Sequence, residues 1–148
     1  MTKHWATTGT LQGRHVSLEP LAPEHVSGLQ EAARDGELWK LWFTSVPRIE
    51  DTQQYVDQAL ALSELGKAMP FAVRDSKGVI VGSTRYYNIE ADHRRLEIGW
   101  TWYAKRVWAG AVNPSCKRML LAHGFETLGL NRIELKADAR NTRSCKAM

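Results

Sequence analysis

Between Met69 and Tyr103 three runs of strand-forming residues follow one another with only turn-length connections, which commits the chain to an antiparallel meander. Met69–Arg74 and Val79–Ile89 flank Asp75-Ser76-Lys77-Gly78, a segment with the polar and glycine chemistry of a hairpin turn. A second turn at Glu90–Arg94 leads into Arg95-Leu96-Glu97-Ile98-Gly99-Trp100-Thr101-Trp102-Tyr103, the third strand.

The flanking segments alternate helix and strand. Gly9–Leu21 reads as one strand, with Val16 and Leu18 alternating against His15, Ser17 and Glu19. Pro23 opens a helix that buries Val26, Leu29 and Ala33 and stops at Gly36. A second helix spans Ile49–Leu65, its apolar face made by Tyr55, Val56, Ala59, Leu62 and Leu65 and its end marked by Gly66. Pro114–Leu128 is a third, with Met119, Leu120, Phe125 and Leu128 toward the sheet and Gly129 as its stop, and Arg132–Ala137 is a half-buried strand. Asn141 opens a last helix. The order β-α-α-β-β-β-α-β-α predicts one α+β or mixed α/β domain over residues 1–148, with a mostly antiparallel sheet flanked by helices.

Composition narrows the function classes. Hydrophobic residues at 43% and charged residues at 24% suit a folded domain with one core. The net charge of +4 is scattered, a weak basis for nucleic-acid binding that equally favours a phosphorylated small ligand. No apolar run is long enough to cross a bilayer and Met1–Thr10 lacks a signal-peptide core, so a cytoplasmic location is expected. Cys116 and Cys145 have no CxxC spacing or clustered histidines; both read as reduced thiols, and no metal site is expected.

Two segments carry candidate chemistry. In Trp108-Ala109-Gly110-Ala111-Val112-Asn113-Pro114-Ser115-Cys116-Lys117, small residues run into a helix for which Asn113 reads as the N-cap and Pro114 as the first helical residue. Exposed amides at such a helix start bind phosphate, with Lys117 adding charge; the alternative is a tight, capped turn. Leu38-Trp39-Lys40-Leu41-Trp42-Phe43 is either a hydrophobic plug or, through Trp39 and Trp42, the wall of an acceptor pocket.

Taken together, Glu97–Trp102, the loop and helix start through Lys117, Phe125-Glu126-Thr127-Leu128-Gly129-Leu130-Asn131-Arg132, and Ala139-Arg140-Asn141-Thr142-Arg143-Ser144 resemble the GNAT acetyltransferase superfamily, particularly its RimJ/RimL-like branch. The resemblance implies the GNAT-like acyl-CoA N-acyltransferase fold, acetyl-CoA as cosubstrate, no metal, and an amine-bearing acceptor that is a protein N-terminus or a small molecule. It implies that Trp100 and Trp102 offer backbone groups to the pantetheine arm. Arg106 and the segment Ala109, Gly110, Ala111, Val112 and Asn113 would hold the diphosphate. Asn141 would bond the pantetheine side, with Ser144 packed beneath.

The superfamily's Gln/Arg-x-x-Gly-x-Gly/Ala pattern falls here on Arg106, Ala109 and Ala111, and an alanine at the first glycine is tolerable only if it keeps a negative φ. The resemblance also implies two further strands after the last helix. For these the chain has no residues, so an incomplete C-terminal side, pairing of the exposed edge in a homodimer, and a non-catalytic CoA-binding module are weighed as expectations. Glu97 is either the general base or an ordinary strand glutamate, solvated or salt-bridged to a partner such as Arg85 or Arg95. Tyr86, placed on the acceptor side, is with Tyr87 and Tyr103 either a proton donor to the departing thiolate or a packing residue; His123 reads as a helix surface residue.

Overall fold

A computed structural model describes residues 9–41 and 46–135. The elements are β1 (Leu11–Gln12), β2 (Val16–Pro20), α1 (Val26–Arg34), α2 (Thr52–Glu64), β3 (Ala68–Asp75), β4 (Ile80–Glu90), β5 (Arg95–Tyr103), α3 (Val112–Ala122) and β6 (Arg132–Leu135). They build a mixed α/β fold whose six strands lie in sequence order. Every pairing is antiparallel except β5 with β6, whose parallel register is made possible by the α3 crossover.

The meander forms as its turn chemistry predicts. Asp75 Oδ1 accepts the amides of Lys77 and Val79 at 2.9 and 3.0 Å, while Gly78 takes φ 83°, closing the β3–β4 hairpin. The first predicted strand, by contrast, is a small hairpin. The Gly13 amide bonds Val16 O at 2.9 Å and pairs Leu11 with Leu18. A Cβ on Gly13 would stand 2.3 Å from Met119 Sδ, so the fold-back depends on a contact with α3 that no local pattern reveals.

Each face of the sheet buries its own core. On one side Leu18, Phe71, Val73, Tyr86, Leu96 and Ile98 meet Cys116 and Leu120 of α3. On the other, Ala72, Ile80 and Trp102 meet Leu29 and Ala33 of α1 and Val56 and Ala59 of α2. The α2 apolar stripe is narrower than expected, since Leu62 and Leu65 are 37% and 67% exposed. α3 likewise ends early. After Ala122 the chain widens into a π-turn over His123–Thr127, which shifts the helical face and leaves Phe125 exposed.

Candidate active site

The site is organised by an irregularity in β5. Ser83 faces Trp102 while Arg85 faces Gly99, so Trp100 and Thr101 together oppose Thr84, whose hydroxyl lies 2.8 Å from that of Thr101. This is a β-bulge. Trp100 absorbs the extra length at φ 52°, a left-handed conformation that costs a bulky residue about 1–2 kcal/mol, and the residue is 45% exposed. β6 pairs only with Arg95–Ile98. Beyond that point the outer edge of β5, from Gly99 to Tyr103, has no partner strand among the described residues and can bond an extended ligand.

β5 leads through a 3-10 turn at Lys105–Val107 into the small-residue loop. Asp35, just after α1, anchors that turn: its Oδ2 accepts the Arg106 amide at 2.9 Å, and the Arg106 guanidinium lies 3.9 Å from Asp35 and 3.8 Å from Asp75.

The helix start differs from the reading of Asn113 as its cap. α3 begins at Val112 with Ala111 as N-cap and no side-chain capping bond. Asn113 lies inside the first turn, where its Oδ1 accepts the Tyr103 hydroxyl and Lys117 Nζ, each at 3.0 Å. With that side chain turned to its neighbours, the amides of Ala111, Val112 and Asn113 find no backbone acceptor among the described residues. Amides so placed suit an anion, to which the helix dipole would add about 0.3–1 kcal/mol. Burial lowers the pKa of Lys117, which stands one turn further along.

Ala109 does not meet the condition set for an alanine at that position, since its φ is 63°. An alanine there carries about 1–2 kcal/mol of strain, against roughly 0.5–1 kcal/mol of backbone entropy that glycine would cost. Ala109→Gly is therefore expected to raise stability by roughly 0.5–1 kcal/mol. Urea unfolding checks this; an unchanged or lower midpoint at the same slope would show that the loop holds no such strain.

The candidate base lies on the sheet face that carries α1 and α2. Glu97 is 5% exposed, pairs in register with Tyr87, and accepts a hydrogen bond from Asn88 Nδ2. It is not the solvated glutamate that a strand of this pattern ordinarily offers. Arg95, one expected partner, is paired instead with Glu90 at 2.6 Å. Arg85, the other, makes no ion pair among the described residues and is flanked by the rings of Tyr55 and Trp100.

The remaining expected site residues scatter. Trp102 is buried, its indole donating to Tyr55 Oη at 3.2 Å, and Trp39 is half-buried against the α1–α2 core. Tyr86 lies on the opposite face from Glu97. It is fully buried against α3, donates to Leu120 O at 2.5 Å, and has its pKa raised by burial, so the structure places it in the core and not beside an acceptor. His123 is no surface residue, since it stacks on Tyr86 at 6.4 Å and burial lowers its pKa. Trp42, Asn141, Ser144 and Cys145 lie outside the described residues. Cys116 is fully buried with its thiol pushed up to about 11, which makes it a poor nucleophile.

Arg85, Tyr55 and Asn88 were not legible as site residues by motif. Arg85 carried a usable signal, the lone charge in the strand-forming run Ile80–Tyr87, similar to the one that singles out Glu97. No group of three metal-ligating side chains occurs among the described residues, and no described helix is long and apolar enough to cross a membrane.

Comparison with known proteins bears on this arrangement. The acetyltransferase (GNAT) domain family matches residues 15–148. The uncharacterized N-acetyltransferase p20 of Bacillus licheniformis is 27% identical over 143 residues, which is 94% of this chain and 79% of that protein. A structure from T. thermophilus, an acetyltransferase by assignment, is 30% identical with a TM-score of 0.80 and covers 97% of this chain and 74% of its own. RimL, a ribosomal L7/L12 alpha-N-protein acetyltransferase solved with coenzyme A, shares the fold at a TM-score of 0.80 and 17% identity, over 93% of this chain and 80% of its own.

Proposed function

The chain belongs to the GNAT acetyltransferase family, whose members use acetyl-CoA, and from that premise we propose that it acetylates a primary amine by direct attack, with Glu97 as general base. The acceptor is a protein N-terminus or a small molecule. The observation that carries this reading is a buried carboxylate two residues from a strand edge that has no partner strand among the described residues and runs on into a helix start whose amides have no backbone acceptor among them.

Acetyl-CoA supplies the acyl group already activated as a thioester. The chain's own residues bind and orient it. Amides of Ala111, Val112 and Asn113, with Lys117, suit the diphosphate, while the β5 edge from Gly99 to Trp102 suits the amide-bearing pantetheine arm. Arg106, Ala109 and Gly110 shape the loop between them.

A primary amine is largely protonated at neutral pH and must lose a proton before it can attack, so a base within reach is required. Glu97 fills that role from a nearly water-free position, held by Asn88. Tyr103, whose hydroxyl is tied to Asn113 and whose pKa is raised by burial, keeps its proton and positions the helix start.

Calorimetric titration with coenzyme A tests the binding half of this reading. Saturable heat is expected, with ~2.7 kcal/mol of added stability at about 100 times the dissociation constant. No heat and no thermal shift at millimolar ligand would overturn it.

A further inference from the structure

Arg85 is the charge that the acetyl-transfer reading leaves unused. It is 3% exposed in the middle of β4, its Nε has no hydrogen-bond partner, and no carboxylate of the described residues lies within ion-pair distance. A buried cation in that state is costly, and such groups ordinarily have a partner. Its guanidinium lies 4.6 Å from the centroid of the Trp100 ring and 5.6 Å from that of Tyr55. Aromatic rings this close to a guanidinium offset part of that cost. The Nε–H, which has no acceptor among the described residues, belongs to an edge of the guanidinium that can grip a carboxylate with two parallel bonds.

Register places Arg85 opposite Gly99 and Tyr87 opposite Glu97, so Arg85 and Glu97 share one sheet face as diagonal neighbours. Diagonal positions of this kind stand about 7–8 Å apart, within the span of one small zwitterion or of an N-terminal residue and the side chain beside it. The bulge matters here as well. By turning Trp100 out of regular strand geometry it brings the indole onto the guanidinium, so the strained residue and the unpaired cation form one feature.

We propose that Arg85, with the Tyr55 and Trp100 rings beside it, anchors a carboxylate of the acceptor, and that the acceptor is therefore an amine carrying a carboxylate a few atoms from its nitrogen. This rests on the reading of Glu97 as the group that receives the amine. A free amino acid and a peptide whose N-terminal residues include an acidic side chain both supply that chemistry.

Initial rates of acetylation distinguish them and test the anchor. The acceptors are small amino acids and their carboxamides, and N-terminal peptides that differ only by Glu or Gln at the second position. The intact protein is expected to favour the carboxylate member of one pair by about tenfold or more in kcat/KM, the worth of a charged hydrogen bond, and the pair that shows the preference identifies the source. Arg85→Gln should collapse that preference mainly through KM, and Arg85→Lys, which keeps the charge but not the fork, should retain part of it. Equal rates for both members of each pair would overturn the anchor and leave acetyl transfer intact, as would an Arg85→Gln protein that loses rate equally with both. Absence of turnover with every amine would overturn both readings.

Discussion

Glu97→Gln is expected to lower acetyl transfer by about 100-fold or more while leaving coenzyme A affinity within about twofold. The substitution keeps the shape of the side chain and a polar group for Asn88, and it removes only the capacity to take a proton. The rate loss should therefore lie in kcat, and raising the pH should recover part of it as more of the acceptor amine deprotonates in solution. Single-turnover rates for both proteins across a pH series check this. A Gln variant with the parent's rate at every pH would return Glu97 to a structural role.

The second large effect is on stability. Phe71 is fully buried on β3 and packs edge-on against Tyr86, with ring centroids 6.0 Å apart at 79°; its carbonyl accepts the Ser83 hydroxyl at 2.7 Å. Phe71→Ala should cost about 3–5 kcal/mol, because the sheet and α3 close only partly over the cavity. That is a large share of the ~5–15 kcal/mol by which a domain is stable, and it corresponds to a melting temperature lower by roughly 10 °C. Calorimetry reads it directly. A loss below about 1 kcal/mol would mean that Phe71 does not join the two sides of this core.

The parts of the fold that were legible in the sequence are those fixed by local chemistry. β5 has the predicted limits, and β3 and β4 differ by one residue at each end, because Asp75 and Gly78 make the intervening turn through bonds within the turn itself. The helix stop at Gly66 was legible for the same reason, with a left-handed φ of 72°, whereas Gly129, at φ 69°, follows the π-turn and not α3 itself.

What escaped depends on contacts distant in sequence. Asn113 has the composition of a cap, yet Tyr103 and Lys117 claim its side-chain oxygen, and this moves the helix start back to Val112. Gly13 folds the first strand back because Met119 approaches it. His123 and Phe125 exchange their expected exposures because the helix widens after Ala122.

The candidate site was legible in the same uneven way. Glu97 stood out as a charge in an apolar strand, but the similar signal at Arg85 gained meaning only once Tyr55 and Trp100 were seen beside it. Trp100 itself reads as an ordinary strand aromatic. Its left-handed backbone and the bulge around it follow from pairing with β4, which a single strand's pattern does not encode.

Direct transfer to an amine is the centre of this account, and mass spectrometry of a quenched reaction with acetyl-CoA and a mixture of primary amines tests it most directly. Coenzyme A thiol should be released in equal amount with an acetylated amine, and the intact protein should carry no acetyl group at any time, since the described cysteine is buried with its thiol pushed up to about 11. Thiol release without an acetylated amine, or a protein that gains an acetyl group and passes it on, would contradict the account.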